Sequence, residues 1–185
     1  MEGTRRADNQ CGGDKRLIYY YACGTNLESE DSAITNEIHE MQNVKLPPNV
    51  KILIQTGTTS KWHHEIVNAN GRYIYDSNGL RPDGAPFESN MFEPSTLTSF
   101  LKYAQEHEKT FKPAHRIFIF AAHGGIRGVC FDEPQKNCSD LNGIMQIFKD
   151  AQFTESQPFD LIVFDACEKS QDKRCDTRSN HVRQQ

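Results

Sequence analysis

The sequence has no long apolar run, no excess of positive charge and no closely spaced pair of cysteines, and each absence excludes a class of protein. No apolar run approaches the ~20 residues that a membrane-spanning helix needs, so we expect no membrane partner. The net charge is −4 and the lysines and arginines are dispersed, which leaves no basic stripe for nucleic acid. The six cysteines include no C-x-x-C pair and, in 185 residues, do not indicate a disulfide scaffold.

Polar segments stand at both ends of the sequence. Residues 1–15 lack the apolar core of a secretory signal, so either the protein is soluble and stays inside the cell, with the cytoplasm as its default location, or its true start is missing. Residues 168–185 are nearly devoid of apolar side chains. We expect both segments to be disordered, because neither buries enough surface to offset the entropy of ordering. Residues 16–167 contain no repeat and no linker and fit one domain.

Two apolar runs in the second half of the chain each lead into a residue with catalytic potential. Residues 117–122 are followed by His123, and residues 161–164 by Asp165 and then Cys167. Both runs are short and rich in β-branched and aromatic residues, which is typical of strands buried on both faces. Between them, apolar residues recur at helical spacing from Leu141, which predicts a strand, a helix and a strand.

A crossover of this kind is right-handed and makes its two strands parallel, so that both carboxyl ends lie at one edge of the sheet. His123 and Cys167 are therefore expected at the same edge, where open parallel sheets bind their ligands. A base beside a thiol is a candidate for nucleophilic catalysis. The alternative is that Cys167 is an inert thiol at a strand end and His123 a loop histidine.

The rest of the chain is predicted from the same periodicities. Buried strands are expected at residues 17–22 and 50–55. Helices are expected at residues 29–43, where Thr25-Asn26-Leu27-Glu28 has the spacing of a capping box, and at residues 94–108, which begin with a proline.

A hairpin is predicted between the second strand and the second helix. Asn70-Gly71, typical of tight hairpin turns, predicts paired strands over residues 62–69 and 72–77 that leave the main sheet. Residues 79–86 contain two glycines and two prolines and predict a loop. Together these elements predict an α/β fold, a three-layer α/β/α sandwich with a largely parallel sheet and a β-hairpin excursion.

The order of these motifs resembles that of the clostripain family of cysteine peptidases, a branch of the caspase-like group. The family signature is an apolar strand followed by His-Gly, found here at His123-Gly124, and a second one followed by Asp-Ala-Cys, found here at residues 165–167. Other blocks that look like the family's, in its order, are residues 21–29, 55–57 with Lys61-Trp62, 96–101 and 128–133. The resemblance implies a caspase-like sheet and a cysteine endopeptidase.

Peptide hydrolysis needs a nucleophile, donors for the developing oxyanion and an acid for the leaving amine. Cys167 is expected to attack as a thiolate, and His123 to protonate the leaving nitrogen and then activate water. The backbone N–H groups of Gly124 and Cys167 are expected to hold the oxyanion, because a side chain in place of Gly124 would block the substrate.

Asp165 is the expected contact for a basic substrate side chain. It lies two residues before Cys167, so both side chains point to one face if the strand continues. In the family the matching aspartate is associated with the pocket for arginine or lysine before the cleaved bond, which implies a peptide or protein substrate with a basic residue. The alternative is a carboxylate that only accepts backbone hydrogen bonds. Its charge disfavours the thiolate, so it does not activate Cys167.

The segment between the two motifs contains a candidate site of self-cleavage. Residues 132–140 are polar and include Lys136, which suits a protease that cuts after basic residues. Members of the family are often activated by cleavage between the histidine and the cysteine. We therefore expect Lys136 to be such a site.

The sequence predicts no metal site and no cofactor. His63 and His64 are adjacent, so along a strand they face opposite ways, and we expect them to be solvated hairpin residues. Asp132 and Glu133 alone fall far short of the 6 to 8 oxygens that calcium takes, so calcium is implied by the family resemblance only.

The resemblance ends shortly after Cys167. Family members continue with further strands, whereas only 185 − 167 = 18 residues follow here. The last strand is therefore expected to leave an unpaired edge, or a surface for a second polypeptide that completes the sheet. Two functions stay open: a His/Cys endopeptidase that cuts after arginine or lysine, and a truncated or inactive relative that binds peptides or another subunit. A nucleotide-binding domain is disfavoured, because no strand precedes a glycine-rich phosphate loop.

Overall fold

The computed structural model describes residues 13–122, 124–125, 128–131, 138–139, 141–151, 153 and 158–165. Its elements in chain order are β1 (Arg16–Cys23), α1 (Thr25–Ser29), α2 (Ala33–Gln42), β2 (Val50–Gly57), β3 (Gly71–Asp76), β4 (Gly79–Pro82), α3 (Pro94–Phe111), β5 (His115–Ala121), β6 (Gly124–Gly125), β7 (Gly128–Phe131), β8 (Cys138–Ser139), α4 (Leu141–Asp150) and β9 (Leu161–Asp165). None of the helices in these ranges has the length and apolar character needed to cross a membrane.

The main sheet has six strands in the order β4-β3-β2-β1-β5-β9. The strands β2, β1, β5 and β9 are parallel, and β3 and β4 continue the sheet in antiparallel orientation. A small sheet of β6, β7 and β8 lies between β5 and α4 in the sequence. The predicted α/β fold with a largely parallel sheet is confirmed.

Side chains of the central strand β1 alternate between two cores, one on each face of the sheet. Tyr19 and Tyr21 belong to the core under α3 and α4, whereas Tyr20 belongs to the core under α2. All three tyrosines are at most 2% exposed, and a fully buried large apolar side chain contributes about 1.5–3 kcal/mol. Helices therefore cover both faces, as a three-layer sandwich requires.

The predicted helix over residues 29–43 was wrong in its extent, because the chain forms two helices there. Ser32 lies between α1 and α2 with a φ of 54°, a left-handed conformation that breaks a single helix. The capping box was also wrong, since Thr25 is itself the first helical residue and its hydroxyl accepts the Leu27 N–H at 3.3 Å, whereas the Glu28 N–H donates to the Gly24 carbonyl at 2.9 Å. The Glu28 carboxylate instead turns into the protein interior.

The hairpin was predicted at the wrong place. Residues 62–69 form no strand, and the turn lies between β3 and β4, where Asp76 pairs with Gly79. Gly79 has a φ of +94°, which a side chain would disfavour. Residues 79–82, predicted as a loop, form β4, and the hairpin extends the main sheet beside β2 rather than leaving it.

The strand β9 stands at an edge of the described sheet and pairs with β5 alone among the described strands. Its Leu161 and Phe164 are 52% and 38% exposed. The expectation of an edge on the far side of β9 thus agrees with the described part of the chain. Residues 1–12 and 166–185, which include most of the two segments expected to be disordered, lie outside the described residues.

Candidate active site

The four parallel strands end at one level, and this edge is where the sequence predicts the site. Cys23 of β1 is paired with Gly57 of β2, and Ala121 of β5 is paired with Ala22 of β1 and with Asp165 of β9. The carboxyl ends of β2, β1, β5 and β9 therefore form one continuous rim. Loops that leave such a rim are where open parallel sheets bind ligands.

The two ends that lead to the predicted dyad are joined by a hydrogen bond. The Ala122 N–H donates to the Asp165 carbonyl at 3.1 Å. In the sequence His123 directly follows Ala122, and Cys167 follows Asp165 by two residues. The structure thus brings the described strand ends of both motifs together, as the crossover argument predicts.

Several predicted site residues lie outside the described residues: His123, Cys167, Lys136, Asp132 and Glu133. Gly124 is described only in its backbone, as part of β6, where it pairs with Val129 of β7. The predicted dyad, the oxyanion hole at Gly124 and Cys167 and the self-cleavage site stay predictions.

Asp165 is an exposed residue at the end of β9. Its charge acts on two groups on this face of the sheet, the buried Tyr20 and the half-buried Glu37 of α2. Burial raises the pKa of Tyr20 well above its ordinary value, with contributions from Glu37 and Asp165. Burial also raises the pKa of Glu37, and the Asp165 charge adds to this although the hydrogen bond from Tyr20 opposes it. The Tyr20 hydroxyl donates to the Glu37 carboxylate. An exposed carboxylate at the rim is available to a cation in solution.

Glu28 ties the helices behind the rim to the loop that follows β2, and the sequence did not reveal this role. Its carboxylate has no exposed surface and accepts hydrogen bonds from the Thr35 N–H at 2.9 Å and the Thr35 hydroxyl at 2.6 Å. It also accepts the His63 N–H at 2.9 Å and contacts the His63 ring at 3.3 Å. The sequence signal for this role is the acidic residue one turn into the helix, which was interpreted as part of a capping box.

Neither His63 nor His64 lies in a hairpin, and the prediction that both are solvated holds for His63, which is exposed, but was wrong for His64. His64 is 2% exposed, and its Nδ1 accepts the N–H groups of Ile66 and Val67 at 3.0 Å each. Its Nε2 lies 2.8 Å from the Gln42 Oε1, so the neutral ring donates there. The Nδ1 contacts fold the loop back on itself and the Nε2 contact anchors it to α2, and residues 62–69 form a packed loop and no strand.

A pocket of about 620 Å³ opens in this loop, beside the end of β2. It is lined by residues 59–62, 68–70 and 86–88. The Trp62 indole N–H donates to the Asn70 side-chain oxygen at 3.0 Å, which fixes the ring. Gly24, at the end of β1, faces the same ring, because a Cβ there would lie 3.1 Å from the indole Cη2. We refer to this feature as the Trp62 pocket.

Within the described ranges, no group of three or more His, Cys, Asp or Glu side chains is arranged to hold a metal ion. Cys23 is buried at the end of β1.

Comparisons with known proteins agree with this architecture. The model of the Clostripain family matches residues 20–171. Clostripain of Hathewaya histolytica is 24% identical to the chain, in an alignment that covers 82% of the chain and 33% of that protein.

Two solved structures have a similar fold. One is a secreted C11 cysteine protease from Bacteroides thetaiotaomicron in complex with an irreversible peptide inhibitor, with 18% identity and a TM-score of 0.52. The other is an inactive zymogen of a C11 protease from Parabacteroides distasonis, with 19% identity and a TM-score of 0.51. Each comparison covers 84% of the chain and 43% of the solved chain. The chain thus spans about a third of clostripain and less than half of these two proteins.

Proposed function

The chain belongs to the clostripain family, and from this premise we propose that the protein is a cysteine endopeptidase with a His123/Cys167 dyad that cuts peptide bonds after arginine or lysine. The observation that carries the proposal is the common rim, where the hydrogen bond from the Ala122 N–H to the Asp165 carbonyl joins the strands that lead to the two residues. Two strand ends held together in this way support one groove for an imidazole and a thiolate.

The proposed reaction has two balanced steps. The Cys167 thiolate forms a bond to the substrate carbonyl carbon, the carbon–nitrogen bond breaks, and His123 gives its proton to the leaving amine. Water then attacks the acyl-enzyme while His123 takes up a proton, which releases the acid and restores the thiolate. The N–H groups of Gly124 and Cys167 are proposed to stabilise the oxyanion in both steps.

Asp165 is proposed to bind the basic side chain before the cleaved bond. The exposed position of its carboxylate at the end of β9 supports this, because a cationic side chain in the groove would find an unburied counter-charge there. A charge-assisted hydrogen bond of this type is about twice as strong as a neutral one. The preference for basic substrates therefore depends on one ionised group.

Fluorogenic peptides that end in arginine, lysine, leucine or aspartate test the proposal. We expect turnover of the first two only, and its loss in Cys167→Ala. Asp165→Asn is expected to lower kcat/KM for the arginyl peptide between about tenfold and a hundredfold, while Asp150→Asn, on an exposed part of α4, leaves it unchanged. Turnover that survives Cys167→Ala, or no turnover of any peptide, would overturn the assignment.

We propose that self-cleavage after Lys136 activates the chain. One structural relative is described as an inactive zymogen, which supports the idea that family members are made in an inactive form. Incubation of the purified protein should yield a new amino terminus at Asn137, the residue after Lys136. Lys136→Ala should abolish this cleavage. An intact chain that is fully active on peptides would contradict this.

The proposed reaction needs no cofactor, since thiolate, imidazole and backbone donors supply each step. A calcium chelator is therefore expected to leave the rate of peptide hydrolysis unchanged. A loss of activity that added calcium restores would show that the family resemblance on this point applies.

A second candidate is a fragment that binds peptides or another subunit. The exposed side chains of β9 at the edge of the described sheet favour it, because a strand edge can pair with another chain. In that case the protein would bind arginyl peptides with unchanged affinity in Cys167→Ala and turn over none, even after limited trypsin treatment. A partner polypeptide that pairs with β9 and restores turnover would connect the two candidates.

A further inference from the structure

We propose that the Trp62 pocket binds an aromatic side chain of the substrate on the leaving-group side of the cleaved bond, about three residues beyond it. This proposal rests on the proposed peptidase function and adds a second specificity element to it. Asp165 would select the residue before the bond, and the Trp62 pocket a residue after it.

The pocket continues the rim on which the dyad is proposed to lie. The loop that lines the pocket leaves β2 at Gly57 and returns to the sheet at Gly71, the first residue of β3. Gly71 is paired with Thr56 of β2, so both ends of this loop lie at the end of β2. The Trp62 ring reaches back to Gly24 at the end of β1. Among the described strands, the order from β9 past β5 and β1 therefore leads to β2, beside whose end the pocket lies.

The chemistry of hydrolysis decides which part of the substrate runs towards the pocket. The general acid protonates the leaving nitrogen, so it stands on the leaving-group side of the thiolate. In the sequence His123 follows β5 and Cys167 follows β9, and β5 separates β9 from β1 in the sheet. A substrate whose leaving-group side passes the histidine therefore continues past β1 towards β2.

The spacing of the strands sets the position of the bound residue. Two strand spacings separate β5 from β2, and at ~4.8 Å for each spacing this is about 10 Å. An extended peptide advances about 3.3 Å per residue, so that the third residue beyond the cleaved bond comes level with β2.

The lining of the pocket favours a flat, uncharged side chain. The Trp62 ring is fixed by its hydrogen bond to Asn70, and the Phe87 ring, 38% exposed, has the Arg72 guanidinium 5.4 Å from its centroid. Lys61 and Glu88, both exposed, bring opposite charges that leave the lining without net charge. The pocket therefore offers two aromatic rings among polar side chains, and each ring is suited to a third ring in stacked or edge-on contact.

Trp62 is the only tryptophan of the chain, so its fluorescence reports on the pocket directly. Full-length Cys167→Ala is titrated with a peptide that has arginine before the scissile bond and phenylalanine at the third position after it, and with its alanine counterpart. We expect a change in Trp62 emission on binding of the phenylalanine peptide and about fivefold weaker binding of the alanine peptide.

Cleavage by the otherwise unaltered protein gives a second measurement. The ratio of kcat/KM for the two peptides is expected to be about five, to fall towards one in Trp62→Ala, and to persist in Trp62→Phe, which keeps a ring. Val44→Ala, a control at an exposed residue between α2 and β2, should leave the ratio unchanged.

The outcomes separate this proposal from the proposed function. A short arginyl reporter, which has no residue in the pocket, tests the dyad alone. If that reporter is cut while both long peptides bind and react equally, the pocket proposal is wrong and the peptidase assignment stands. If neither the reporter nor the long peptides react and no peptide changes the Trp62 emission, both are wrong.

Discussion

Glu28 is a residue of α1 whose carboxylate has no exposed surface and joins α1 to α2 and to the loop after β2 through hydrogen bonds. A buried charge is stable only when its oxygens are well satisfied, and removal of the acceptor leaves the buried N–H groups of Thr35 and His63 unpaired. The contribution of Glu28 to stability therefore comes from N–H and hydroxyl groups that are far apart in the sequence and share one acceptor.

Glu28→Ala is expected to lower the free energy of unfolding by about 3 kcal/mol, and Glu28→Gln, which keeps one carbonyl oxygen, by about half of that. Urea denaturation measures both. Glu30→Ala, at an exposed residue two positions on, is the matched control and should change stability by less than about 0.5 kcal/mol. Equal effects of the substitutions at Glu28 and Glu30 would contradict the buried network.

His64 gives the stability of the protein a pH dependence of known sign. Burial lowers the pKa of His64, and the neighbouring His39 lowers it further. In the unfolded chain the pKa is about 6.5, so the unfolded state takes up the proton more readily than the folded state below that value. The free energy of unfolding should therefore fall as the pH is lowered from 7 through about 6.5.

Denaturation at several pH values between about 7 and 5.5 checks this. His64→Asn, which offers an oxygen near the position of Nδ1, is expected to reduce the slope. His107, whose pKa is also lowered by burial, contributes a slope of the same sign, so His107→Asn is measured in parallel. An unchanged slope in His64→Asn would contradict the assignment.

At the scale of elements, the parallel strands could be predicted and the hairpin could not. β1, β2 and the second half of β5 are largely buried in the sheet, and each is a nearly continuous apolar run that the sequence displays directly. β9 has the same kind of run, but the prediction that it is buried on both faces was wrong, because Leu161 and Phe164 are exposed at the sheet edge. The turn signal at Asn70-Gly71 is local, whereas Gly71 is positioned by a long-range contact, its N–H donating to the Thr56 hydroxyl at 3.0 Å. Tertiary pairing overrode the local preference.

The position of the hairpin turn can be tested with two glycines. Gly79→Ala places a side chain at a φ of +94° and should cost about 1 kcal/mol. Gly71→Ala is the control: its backbone is not in the left-handed region, and its Cβ would have ordinary contacts, the nearest atom being the Pro86 Cα at 3.7 Å. Thermal denaturation should therefore show that Gly79→Ala is the more destabilising substitution. The reverse order would contradict this and place the hairpin turn at residues 70–71.

At the scale of the whole molecule, topology made the rim predictable while its walls were not. A right-handed crossover fixes where parallel strands end, so the level of Ala121 and Asp165 followed from the order of elements. The Trp62 pocket depends on how His64 and Glu28 fold a loop without regular structure, and no periodicity marks such contacts. Pocket walls that are built by loops can be identified only from the tertiary structure, even where the fold can be predicted from the sequence.

The edge strand β9 is expected to make the chain prone to association. Leu161 is 52% exposed on a strand whose far side has no partner among the described strands, and such edges pair with other strands. Leu161→Lys should shift sedimentation at high protein concentration towards the monomer, because a charge opposes strand addition. It should change the free energy of unfolding by less than about 0.5 kcal/mol.

Val44→Lys, at a residue 61% exposed outside any strand, adds the same charge and should leave association unchanged. Equal effects of the two lysines would assign the association to net charge, and no association in the unaltered protein would show that β9 is already covered.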